Sequence, residues 1–87
     1  MATVKVELTS DWVLLVPTAK NFIIDNGSSY VAEVTFADSL PAVDAPCHKL
    51  GAGYGLVRMG VTGAVYGRDS QDDGPNREAW VAVSAEA

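Results

Sequence analysis

With Cys47 as the sole cysteine in 87 residues, the chain has no means of forming an internal disulfide. Histidine is equally scarce. His48 is the only one, and a structural zinc site needs four ligands, mostly Cys or His. No metal or cofactor is expected. Basic residues are few and scattered singly: Lys5, Lys20, Lys49, Arg58, Arg68 and Arg77, against eleven acidic residues, for a net charge of −5. A phosphate-binding surface needs clustered Lys and Arg, and an anionic membrane surface needs a basic amphipathic face. Neither nucleic acid nor membrane is an expected partner. No apolar run approaches the ~18 residues of a spanning helix. The N-terminus, MATVKVELTS, lacks the apolar core of a signal peptide. Synthesis in a cytoplasm is therefore expected, and Asn26-Gly27-Ser28, formally a glycosylation acceptor, reads as a turn.

Helical periodicity is missing as well. The closest window, Ala42 to Leu50, is interrupted by Pro46. What remains is a period of two. Val4, Val6 and Leu8 alternate with polar residues, and Trp12 to Val16 is an apolar run ended by Pro17. Phe22-Ile23-Ile24 and Tyr30 to Ala37 flank Asn26-Gly27, which reads as a two-residue hairpin turn with positive φ. Asp38 to Lys49, with two prolines, reads as a surface loop. Leu56 to Met59, Ala64 to Tyr66 and Trp80 to Val83 complete the strands, and the polar stretch Asp69 to Asn76 reads as solvated. Six to seven short strands with turn signals every 8–12 residues or so predict one all-β domain over 1–87. The expected architecture is a small antiparallel β-sandwich or jelly-roll-like barrel. A chain this short buries only about 60–65% of its unfolded surface. Without a disulfide or a metal, oligomerisation is the remaining way to shore up the core. A homo-oligomer is expected, with a trimer favoured.

Four patterns invite a chemical reading. Cys47-His48 suggests a nucleophile and its base, but neighbours in an extended segment point to opposite sides. Gly51-Ala52-Gly53-Tyr54-Gly55 begins like a phosphate loop, yet Leu56 stands where the dinucleotide motif needs glycine and no helix follows. Asp69, Asp72, Asp73 and Gly74 suggest a calcium loop, but Gln71 and Trp80 fall where that template needs ligands. The acidic residues otherwise sit in turns or on alternating polar faces, where carboxylates stay solvated. No catalytic, cofactor-binding or metal-ligating residue is assigned, and the chain is expected to bind rather than to catalyse.

A series of short motifs runs through the middle of the chain: Phe22-Ile23-Ile24-Asp25-Asn26, Ala37-Asp38-Ser39, His48-Lys49-Leu50, Leu56-Val57-Arg58 and Tyr66-Gly67-Arg68. This series resembles small β-rich virion proteins of tailed bacteriophages over roughly Phe22 to Arg68. It departs from them at Cys47, where a small residue is usual, and at Gly67, where alanine is usual. The resemblance implies a structural protein of the virion, made in a host bacterial cytoplasm. The expected role is a capsid decoration (cement) protein, bound to the major capsid protein or another virion protein. A tail, fibre or head–tail adaptor component is the alternative within that class. A small carbohydrate- or ligand-binding β module is the alternative outside it. Composition is compatible with an interface role, at 48% hydrophobic residues including two tryptophans. The apolar residues expected to lie outside one small core, and so to form interfaces, are Trp12, Tyr54, Met59 and Trp80.

Overall fold

A computed structural model describes residues 3–17, 21–58, 63–70 and 79–85. Among these residues there are eight strands and no helix: β1 (Thr3–Glu7), β2 (Val13–Val16), β3 (Phe22–Asp25), β4 (Ala32–Ala37), β5 (His48–Leu50), β6 (Gly55–Arg58), β7 (Ala64–Asp69) and β8 (Trp80–Ala85). They form two four-stranded antiparallel sheets, one in the order β1-β8-β3-β6 and the other in the order β2-β7-β4-β5. Successive strands change sheets at every connection except β4 to β5. That is the strand order of an eight-stranded jelly roll. The all-β sandwich expected from periodicity is therefore the fold.

Each sheet contributes one apolar face to a shared core, as the period of two requires. Phe22 and Ile24 of β3 are buried while Ile23 and Asp25, which alternate with them, are exposed. Val16, Val34, Val65 and Val81 join them at 1% exposure or less. Phe22 and Phe36 meet across the sandwich with ring centroids 6.2 Å apart at a tilted angle.

Two expectations are corrected here. The strands flanking Asn26-Gly27 do not pair with each other, because β3 lies in one sheet and β4 in the other. The connection is an arch between layers. Both strands carry an apolar face, and setting those faces opposite each other buries more than setting the strands side by side. Asn26 forms the corner of the arch and is 1% exposed. Its Nδ2 donates to the carbonyls of Tyr30 (2.6 Å) and Leu50 (2.9 Å), and its Oδ1 accepts from the Ser28 amide and hydroxyl. Its backbone amide donates to the Tyr54 carbonyl and its carbonyl accepts from the Gly53 amide. One residue thus ties the arch to β5 through its side chain and to the β5–β6 turn through its backbone. An amide so engaged is no glycosylation acceptor in the folded chain. Gly27 does not have positive φ; that conformation belongs to Gly53, at +81°, and Gly63, at +86°.

The second correction is β5, whose first two residues, His48 and Lys49, fall in the segment read as loop. Its three residues hold a single buried apolar side chain, Leu50, too short a run to show a period. The ladder to β4 defines it: Ala32 faces Leu50, Glu33 faces Lys49 and Val34 faces His48.

Candidate functional site

On the sheet β2-β7-β4-β5, the outward residues Lys49, Glu33 and Arg68 form a row across three strands. Glu33 and Thr35 are buried although they point away from the core, at 9% and 7% exposure. The cover is the β4–β5 connection, residues 38–47, which folds back over this face. Arg68 organises it. Its Nε donates to Glu33 Oε1 at 2.7 Å, its Nη1 donates to the Val43 carbonyl at 2.7 Å, and its guanidinium carbon stands 4.1 Å from the centroid of the Trp12 ring. Trp12 Nε1 donates to the Ala42 carbonyl at 2.9 Å, and Thr35 Oγ1 donates to the Pro46 carbonyl at 2.9 Å. Three side chains on the sheet therefore hold three carbonyls of one loop, satisfying groups that would otherwise be stranded against protein.

A loop pinned in this way presents its remaining side chains from a fixed backbone. Leu40 is 69% exposed and Val43 is 81% exposed. They flank a cleft of about 350 Å³ whose walls also include Asp11, Trp12, Pro41 and Arg68. Apolar side chains beside a cleft with one acidic and one basic group make a surface suited to protein contact.

A second cleft, of about 440 Å³, opens between the β5 and β6 edges, with Val34, Leu50 and Leu56 inside and His48, Lys49 and Tyr54 around it. Tyr54 is 70% exposed. The turn that carries it is fixed by the Tyr54 amide donating to the Gly51 carbonyl at 3.0 Å and the Gly53 amide donating to the Asn26 carbonyl at 2.8 Å. Strand β6 follows this turn directly, so the glycine-rich segment is a strand connection with no helix N-terminus behind it.

The interface candidates fall on separate surfaces. Trp12 lies outside the inter-sheet core, on the outer face of β2-β7-β4-β5, but the loop covers it. Tyr54 stands at the β5–β6 turn. Trp80 is half-buried on the outer face of the other sheet, with the Lys5 ammonium 4.9 Å from its ring centroid. Met59 lies outside the described residues, as do Asp72, Asp73 and Gly74. Asp69, the first residue of that acidic stretch, is buried, and its amide donates to the Thr9 carbonyl at 2.8 Å. Among the described residues no three His, Cys, Asp or Glu side chains are grouped as a metal site would need.

Cys47 is half-buried and His48 is exposed. Burial pushes the Cys47 thiol up from its ordinary value, and the negative charge of Glu33 adds to the effect. A thiol held protonated is a poor nucleophile. His48 packs against Phe36, with ring centroids 6.1 Å apart.

Sequence reasoning missed Arg68 and Leu40-Val43. Arg68 reads as one isolated cation just past a strand, and nothing in the local pattern announces that a loop twenty-five residues upstream will fold onto it. No protein-family model matches the chain, and no curated protein or solved structure matches it.

Proposed function

We propose that this chain is a structural binding protein of a tailed-bacteriophage virion, most simply a capsid decoration protein that seats on the shell and adds contacts between neighbouring capsomers. The observation that carries the binding role is the pinned β4–β5 loop, which holds Leu40 and Val43 out to solvent. A preorganised apolar patch loses little freedom on docking, so more of its burial appears as affinity. The virion assignment rests on the resemblance across Phe22 to Arg68. The jelly-roll topology accords with it, since that architecture recurs in capsid domains, though also in lectins and cupins. Attachment, rather than turnover, is the expected activity.

The test is attachment to particles lacking the protein. Replacing Leu40 and Val43 together by Asp should weaken attachment by about 2 kcal/mol or more, with the melting temperature of the free protein unchanged. Particles carrying the wild type should open at higher temperature than bare ones. Unaltered attachment of the double variant would move the contact elsewhere on the domain.

One observation favours a second reading, a ligand-binding module. The cleft beside Tyr54 has an apolar interior and an exposed aromatic ring at its mouth, a setting that suits a sugar or similar small ligand. Saturable glycan binding lost in Tyr54→Ala would support it over the virion role.

A further inference from the structure

Two sandwiched sheets leave four edge strands, β1 and β6 on one sheet and β2 and β5 on the other. An edge strand presents unpaired backbone groups and is a template for another chain unless something blunts it. Three of the four are blunted. β2 breaks register between Leu14 and Val16 and runs into Pro17. β5 has three residues. β6 has four and starts with Gly55, which weakens a strand. β1 is five residues long, pairs with β8 without a register shift and contains neither Gly nor Pro; its charges, Lys5 and Glu7, are of opposite sign, so they blunt it toward an unrelated strand but not toward its own sequence.

The direction of the β1 backbone groups follows from one bond. The Leu8 amide donates to the carbonyl of Ala79, the residue facing it when the Glu7–Trp80 register is extended by one. In an antiparallel ladder, hydrogen-bonded pairs alternate with non-bonded ones. Val6 and Val4 therefore turn their amides and carbonyls toward β8, and Thr3, Lys5 and Glu7 turn theirs outward. The side chains of Lys5 and Glu7 are exposed on the outer face of the sheet, with Trp80 of β8 beside them.

We propose that β1 is a self-complementary edge that joins two copies of this chain about a two-fold axis, in the register that sets Val6 against Val6 of the second copy. Self-pairing of an antiparallel strand has few solutions, because outward-facing residues must meet outward-facing residues. Centring the axis on Lys5 sets Lys5 against Lys5, and like charges directly opposite repel. Centring it on Val6 sets Lys5 against Glu7 and Glu7 against Lys5, two attractive pairs generated by one operator. Val4, which is 57% exposed in the single chain, then lies against Leu8. Packing of Lys5 on Trp80 holds the ammonium on the face where Glu7 of the second copy arrives. This pairing is independent of the virion reading. It favours a dimer over the trimer expected from chain length.

Sedimentation at micromolar concentration tests it, using Lys5→Glu, Glu7→Lys and the double variant. The wild type should be a dimer. Each single reversal converts both pairs to like-charge contacts and should weaken association about tenfold or more. The double reversal should restore it. Mixing the two single variants should form a heterodimer, because both carboxylates of one variant then meet the two ammonium groups of the other. A covalent check uses Val6→Cys in a Cys47→Ala background. Its cysteines face each other across a non-bonded pair, at a separation a disulfide tolerates, and oxidation should give a cross-linked dimer. Melting curves confirm that each variant folds. A folded wild type that is monomeric, a trimer indifferent to both reversals, single variants that associate like wild type, or no heterodimer on mixing would each overturn the proposal.

Discussion

Gly27 is a glycine because the Trp80 ring fills the space that a β-carbon would need. Asn-Gly in the sequence signals a turn, and a turn is there, but the reason for each residue differs from the one the dipeptide suggests. Asn26 serves as a buried hub of hydrogen bonds between layers, and Gly27 serves as a floor for an indole. The two accounts of Gly27 predict different couplings. If positive φ were the constraint, Gly27→Ala would cost the same whatever stood at position 80. With the ring as the constraint, Gly27→Ala should cost about 1–3 kcal/mol in the wild type and little in a Trp80→Ala background. Urea unfolding of the four proteins in that cycle gives the coupling directly. A local pattern cannot reveal this, because Trp80 lies more than fifty residues away in sequence and the contact exists only once β8 has docked beside β3.

Cys47 belongs to the same scale. Its thiol binds its proton more tightly in the folded chain than in the unfolded one, because burial and then Glu33 disfavour the thiolate. A raised folded value contributes stability that is present below the unfolded value and lost as pH rises through the folded one. Stability should therefore fall on the alkaline side, above pH ~9, and Cys47→Ala should remove that part of the fall. Urea midpoints of both proteins across this range provide the comparison; an identical alkaline decline in the two would mean that the thiol is not the cause.

Among the elements, the β4–β5 connection is the surface loop expected over residues 38–47, but it lies pinned against a sheet face. Two prolines and no period predict irregular backbone over Asp38 to Lys49, and the backbone is irregular as far as Cys47, where β5 takes over. Its position was not legible, since the residues that place it, Trp12, Thr35 and Arg68, come from the position just before β2, from β4 and from β7. The Glu33–Arg68 pair beneath it is largely desolvated, with side chains 12% and 15% exposed. Removing one partner leaves the other charge stranded. Arg68→Met should cost about 2–4 kcal/mol, near the lower range for a broken buried pair. The double variant Glu33→Gln, Arg68→Met should recover part of that loss. The same substitution also frees the Val43 carbonyl and uncovers Trp12, so amide exchange in residues 38–47 should rise more than in β3 or β8. A double variant whose cost equals the sum of the costs of Glu33→Gln and Arg68→Met alone would show that the pair is not coupled.

On the scale of the whole molecule, periodicity and turn spacing were enough for class and architecture, because a half-buried strand writes its face into alternate residues. Which strands share a sheet was not legible. That choice depends on which faces oppose each other across the core, and β3 and β4 carry compatible patterns for either arrangement. Of the residues expected at interfaces, Tyr54 stands exposed at a turn while Trp12 is spent on holding a loop. The more prominent apolar offer to a partner comes from Leu40 and Val43, aliphatic residues on either side of Pro41 that composition does not single out. The proposed shell-binding role requires assembly, and the pinned apolar loop and the β1 edge are the surfaces this domain offers for it. That proposed role is tested most directly by the copy number of the chain in purified phage virions, measured by quantitative mass spectrometry on separated heads and tails. The decoration reading predicts the chain in heads, in fixed proportion to the major capsid protein and absent from tails. Its presence in tails alone, or its absence from both, would contradict that reading.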